Sequence, residues 1–295
     1  MMITALLTSM IMLACGAPRA GFTTETAQRS DFKERDEINQ TYQLAPGARI
    51  EVSSIRGPVE IMTADTATAE VKIIRTARTR ADLEYHKIEV EQTANSLVVR
   101  GVREPEQRQR QNIQVDHKVI LKLPRRIDVS VNSISGWLKI GEVDGQTRVS
   151  SISGSVNIGN VAGKLQVNSV SGSLDVGNVG TDVRVNSVSG SVRLGQVNGL
   201  VDVSSVSGSV NATLFNLSPQ GIQIKSVTGS IEIGFKSEVN ADFRADSVSG
   251  RVYLDVPNVT RDSEENSPNV HARIGAGGTP ITISSVSGNI RLTRS

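Results

Sequence analysis

The chain has 295 residues, with 32 basic against 30 acidic side chains and a formal net charge of +2. That balance excludes the one-signed electrostatic footprint of a nucleic-acid binder. Aromatic residues make up only 3% and Trp137 is the single tryptophan, so a core must be built from Val, Ile and Leu in thin β layers; one cysteine, Cys15, excludes an internal disulfide.

The first element in chain order is apolar. Residues 3–14 run from Ile3 to Ala14 with only Thr4, Thr8 and Ser9 as interruptions. This stretch is too short to span a bilayer and fits the core of a signal peptide over residues 1–15. Met12-Leu13-Ala14-Cys15-Gly16 resembles the lipobox of bacterial lipoproteins, which makes Cys15 the expected lipidation site and the mature N-terminus. The alternative is ordinary cleavage near Ala14-Cys15-Gly16, which leaves a soluble secreted protein. Residues 16–40 read as a flexible tether between membrane and domain.

From residue 41 onward one phrase recurs on a fixed ruler. Val-x-Ser-Val-Ser-Gly ends at Gly136, Gly154, Gly172, Gly190 and Gly208, always 18 residues apart. It returns at Gly229, Gly250 and Gly288, and an earlier copy ends at Gly57. A fixed period of this size is the mark of a solenoid. The 18-residue unit divides into two nonads, each apolar at positions one, three and six. Positions one and three share a strand face, and glycine near position eight permits a tight corner. The expected fold is all-β: a β-solenoid of 18-residue coils, each made of two nonad half-repeats, with a β-rich N-terminal cap.

In this reading Val149, Val167, Val185 and Val203 form an inward column faced by Ile158, Val176 and Leu194. Ser151, Ser169, Ser187 and Ser205 are expected to form an outward polar ladder. Aspartate at Val185 should then collapse the fold, and aspartate at Ser187 should be tolerated. Nine first halves begin at Ile50, Val129, Thr147, Leu165, Val183, Val201, Ile222, Phe243 and Ile281. Residues 41–128 are expected to hold the first coil and a capping insert with strand-like runs of its own. Residues 129–295 hold the remaining coils, with loops 213–221, 234–242 and 255–280. Every insert follows a second half, so all leave the solenoid on one edge. Ile290-Arg291-Leu292-Thr293-Arg294 reads as a bare terminal strand whose arginines discourage edge pairing.

Tyr42-x-Leu44-x-x-Gly47-x-x-Ile50-x-Val52-x-x-Ile55-x-Gly57-x-Val59-x-Ile61 resembles the opening of a bacterial putative-adhesin family, a β-strand-repeat domain of unknown function. Leu123-Pro124 followed by Val129-x-Val131-x-Ser133-x-Ser135-Gly136 is similar to it as well. The resemblance covers roughly residues 41–295 and implies an exported, envelope-associated β-helical domain with no catalytic residues to carry over.

The residues themselves offer little chemistry. His86, His117 and His271 are scattered through inserts, which is no metal-ligand pattern. The corners lack the recurring aspartate of calcium-binding β-rolls. No Gly-x-Ser-x-Gly elbow appears, and Asp175, Asp182, Asp202 and Asp246 occupy different repeat positions. No enzyme, metal or cofactor is therefore expected. The leading expectation is a non-catalytic cell-envelope protein, lipid-anchored in the membrane or free in the periplasm or at the surface. It would act as an adhesin or scaffold on an envelope protein, a glycan or a host surface, through its insert-bearing edge. Trp137, Arg108, Arg110 and His271 are the candidate contact residues. An envelope-stress or signalling accessory and a carbohydrate-active β-helix enzyme are the alternatives.

Overall fold

An 18-residue period puts like residues on top of one another, and the backbone then bonds coil to coil. A computed structural model describes residues 34–103, 115–215, 217–262 and 269–294. Thr147 lies beside Leu165, Leu165 beside Val183 and Val183 beside Val201, all in parallel register. The chain opens with β1 (Glu34–Gln43), β2 (Ala48–Arg56), β3 (Val59–Ala64) and β4 (Thr68–Ala77). The short helix α1 (Arg80–Tyr85) follows, then β5 (His86–Thr93), β6 (Ser96–Arg103) and β7 (Val115–Pro124). Coils come next as pairs: β8 (Ile127–Ser135) with β9 (Leu138–Ile140), β10 (Thr147–Ser153) with β11 (Val156–Ile158), and β12 (Leu165–Ser171) with β13 (Leu174–Val176). They continue with β14 (Val183–Ser189) and β15 (Val192–Leu194), β16 (Val201–Ser207) and β17 (Val210–Leu214), then β18 (Ile222–Thr228) and β19 (Ile231–Phe235). The last elements are β20 (Ala241–Ser249), β21 (Val252–Asp255), β22 (Val259–Arg261), β23 (Asn269–Ile274), β24 (Thr279–Ser287) and β25 (Ile290–Arg294).

These strands form two sheets. One runs β1-β4-β7-β3-β9-β11-β13-β15-β17-β19-β25-β21, the other β22-β23-β20-β24-β18-β16-β14-β12-β10-β8-β2-β6-β5. In each sheet the run from β7 to β21, or from β20 to β6, is parallel throughout, which makes the body a β-solenoid. The inward residues of both sheets merge into one continuous hydrophobic core from Leu44 to Leu292, aliphatic except for Phe235 and Phe243. Val149, Val167, Val185 and Val203 are fully buried in it, and Ile158, Val176 and Leu194 are buried opposite. Each such side chain contributes roughly 1.5–3 kcal/mol relative to exposure.

The two halves of a coil are not equivalent. Val179, sixth in the second half, is buried and bridges to Val161 and Val197, part of a single-residue column from Val143 to Val197. Val170, sixth in the first half, is 49% exposed. The outward serine ladder expected from the sequence is therefore overturned. Ser169 is only 4% exposed, and Ser151, Ser187 and Ser205 are buried with it. Alternation simply runs on: positions one, three and five point in, and two, four and six point out.

The corner glycines are forced by two demands at once. Gly190 has φ +122°, and a Cβ there would lie 2.2 Å from the carbonyl oxygen of Gly172 in the coil beneath. Only glycine meets both conditions.

Both ends depart from chain order. Within the first insert, β6 stacks outside β2 and β7 outside β3, so the insert supplies a coil that lacks the Ser-Val-Ser-Gly phrase. Antiparallel β4 and β1 then cap one sheet, and β5 caps the other. At the far end, β24 lies between β18 and β20, and β25 between β19 and β21. The final segment is thus an interior strand, which corrects the expectation of a bare terminus. Arg291 covers the ring of Tyr253 on β21 at 5.3 Å instead of guarding an edge. Within the segment 255–280, expected as a loop, β22 and β23 form an antiparallel flap against β20. Likewise β1 begins at Glu34, inside the stretch read as a tether.

Candidate functional site

Among the exposed large hydrophobic residues, most lie in a single file. Ile152, Val170, Val188, Val206, Val227, Val286 and Val248 are each about half exposed or more. All occupy position six of the first half, so neighbours in the file sit about 4.8 Å apart. Ile134 extends the file by one coil toward the N-terminal end. Single exposed valines need no explanation, but an unbroken row of them does.

The file is one wall of a groove of about 970 Å³ that crosses the strands. Position four supplies the other wall, and it is polar: Asn132, Ser150, Asn168, Asn186, Ser204, Lys225, Ser284 and Asp246. The Asn186 amide donates to Asn168 Oδ1 at 2.9 Å, which ties that wall along the axis. The position-five serines lie between the walls, turned inward. The Oγ atoms of Ser151, Ser169, Ser187, Ser205, Ser226, Ser285 and Ser247 have no hydrogen-bond partner. Serine therefore serves there as a small inward residue within the strand, and its hydroxyl adds no bond.

The candidate contact residues from the sequence fall elsewhere. Trp137 is 39% exposed beyond the corner glycine, and the Lys118 ammonium lies over its ring at 5.9 Å. His271 is exposed on β23, and its carbonyl accepts from the Asp262 N–H at 3.0 Å. The structure does not bring these two together with one another in any described pocket. Arg108, Arg110 and Cys15 lie outside the described residues. The groove is not legible from the nonad pattern, which groups position six with the apolar positions one and three. The signal is present from β8 onward, where a β-branched residue follows an inward serine in strict alternation; only the copy in β2 departs, with Ser54 exposed at φ 58° and Ile55 buried across a register shift.

His86 and His117 do meet, edge to face, with ring centroids 6.0 Å apart. Burial holds the His117 imidazole below the usual histidine range, partly offset by its contact with the Arg56 carbonyl at 3.2 Å. Among the described residues no three His, Cys, Asp or Glu side chains gather into a metal-holding group. Asp175, Asp182, Asp202 and Asp246 stand in separate ion pairs, with Arg193, Lys164, Arg184 and Arg244 respectively. Among the described residues no helix is long and apolar enough to cross a membrane.

No curated protein matches the chain in sequence. Among solved structures, it is similar to a putative adhesin from Bacteroides fragilis at 14% identity and a TM-score of 0.44, over 87% of this chain and 97% of that one. A putative lipid binding protein from Parabacteroides distasonis aligns at 12% identity and a TM-score of 0.41, over 87% and 96%. A putative adhesin from Parabacteroides merdae aligns at 12% identity and a TM-score of 0.24, over 87% and 95%. The family model described as Toastrack DUF4097 matches residues 48–293, nearly the whole solenoid from β2 to β25, and the protein belongs to that family.

Proposed function

We propose that the protein is a non-catalytic binding module of the bacterial cell envelope, an adhesin or scaffold, exported and held at the membrane through Cys15. The observation that carries the binding role is the file of exposed Ile and Val side chains along the Ser-Val-Ser-Gly corner. A soluble protein gains nothing from exposing such a row, and rows of this kind mark interaction sites. The separate ion pairing of Asp175, Asp182, Asp202 and Asp246 supports a non-catalytic reading, since a lyase or hydrolase needs acids gathered at one place. The reading moves the contact surface from the insert-bearing edge to the uninterrupted corner.

Attachment of the fluorescently labelled protein to bacterial envelope preparations tests this. Val170→Asp with Val206→Asp should abolish attachment while preserving the circular-dichroism spectrum. Trp137→Ala with His271→Ala should leave attachment intact. The opposite pattern would return the contact surface to the inserts and the cap.

A further inference from the structure

We infer that the groove takes one long aliphatic chain with an anionic head, a fatty carboxylate, with its head at Lys225 and its tail directed toward Ile134. This rests on the reading that the groove is the binding surface. Four features of the groove select such an occupant.

The first is what the walls lack. Among the described residues the groove has no aromatic lining residue, whereas sugar rings and proline-rich helices are held by aromatic faces. The second is direction. The groove runs across strands whose backbone groups are bonded on both sides, β16 to β14 and β18 for example. A peptide cannot add as a further strand there, and one laid along the valine wall leaves its own N–H and C=O groups against methyls on that side. An aliphatic chain carries no such groups. The third is repetition. Nearly identical slots follow one another every 4.8 Å or so, and a uniform chain fits them without any register to satisfy, whereas a β-strand presents like side chains only about every 6.6 Å.

The fourth is charge, which fixes the orientation. Lys225 is the single cation lining the groove among the described residues, and Asp246 is its single acid. Asp246 lies two coils beyond Lys225 on the C-terminal side, paired with Arg244 at 3.1 Å. An anionic head at Lys225 therefore sends its tail the other way, over Val206, Val188, Val170, Ile152 and Ile134. From β18 to β8 is five coil steps, about 24 Å. Carbon–carbon bonds of about 1.5 Å at about 111° advance roughly 1.25 Å each, so a chain of about 16 to 20 carbons fills that length.

Equilibrium dialysis of radiolabelled palmitate against the full chain, below the micelle threshold, tests the inference. Saturable binding of one palmitate per protein is expected. Laurate, four methylenes shorter, should bind about tenfold or more weakly, since each methylene covered in an open groove is worth roughly a factor of two. Val188→Asp, checked for an unchanged melting profile, should weaken palmitate at least about tenfold by placing a carboxylate midway along the tail. Lys225→Gln should weaken palmitate about fivefold and leave hexadecanol unchanged, because only the ionised head gains from the ammonium. No saturable palmitate binding overturns the inference, as does palmitate binding indifferent to Val188→Asp. Equal loss of palmitate and hexadecanol in Lys225→Gln overturns the assigned orientation. If palmitate fails to bind while Val170→Asp with Val206→Asp still abolishes envelope attachment, the fatty-chain inference falls and the groove remains the contact surface.

Discussion

Position five and position six of the first half carry most of what is new at the scale of single residues. Ser187 is buried without a partner for its hydroxyl, and Val188 beside it is about half exposed. Ser187→Ala should change stability by less than about 1 kcal/mol, because no hydrogen bond is lost. Ser187→Asp should cost more than about 3 kcal/mol, since it buries a carboxylate where no Lys or Arg among the described residues is buried. Val188→Asp should stay within about 1 kcal/mol, as an outward substitution. Urea denaturation of the three variants measures this, and equal losses for Ser187→Asp and Val188→Asp would put both side chains on one face. The sequence made the inward column at positions one and three legible, because Val and Ile alternate with polar residues there. It misleads at position five, where a polar serine is expected to face water and instead lies buried. The rule that apolar residues lie inside runs one way only.

His117 provides a second test at this scale. It is buried, so its folded-state pKa lies below the ordinary value of 6.5. Below pH 6.5 the unfolded chain binds a proton at this ring that the folded chain does not. Stability from this group is therefore full above pH 6.5 and declines as pH falls toward the folded-state value. The melting temperature should fall between pH 7 and pH 5, and His117→Gln should flatten that slope. Asp36 and Glu37 lie outside this window. Arg75 lowers Asp36, and Lys72 holds Glu37 at about 2, so their effects appear only in stronger acid. An unchanged slope in His117→Gln would assign the pH dependence to another group.

Among the elements, the ends of the solenoid are where chain order and spatial order part. The interior coils could be read from the sequence because every copy repeats its neighbour. The coil built from β6 and β7 could not, because Gly101 stands where the serine would and the inserted residues 104–114 separate its two strands. The place of β24 and β25 could not be read either, since nothing local distinguishes a strand with two partners from one with a single partner. That placement has a consequence. Truncation after Gly278 does not trim an end coil; it removes the strands that join β20 and β21 to the rest. The truncated chain should lose amide-exchange protection across β20 to β23, whereas β10 to β16 keep theirs. Native protection in β20 would instead mean that it pairs directly with β18 once β24 is gone.

For the whole molecule, a single core continuous through stacked coils means that length is adjustable in whole coils. Deleting residues 183–200 removes β14 and β15 as one unit of 18 residues. Val201 then follows Asp182, and β16 can stack on β12 with Leu165 beside Val201, Val167 beside Val203 and Gly172 above Gly208. The ion pairs Arg184–Asp202 and Arg193–Asp175 are lost, but both are solvent-exposed and worth little. The shortened protein should therefore fold cooperatively with somewhat lower stability, as expected when one repeat and its interface are removed. Deleting 183–199 instead leaves Leu200 in the place of Val201 and turns the following strand over, which exposes its inward residues. That variant should fail to stack the coils beyond β13. The groove follows the same arithmetic. One coil fewer between Lys225 and Ile134 shortens the tail path by about 4.8 Å, or roughly four carbons. The affinity gain per added methylene should therefore level off about four carbons earlier in the 18-residue deletion than in the full chain. A plateau that stays at the same chain length would mean that the coils beneath the groove do not set the length of what it holds.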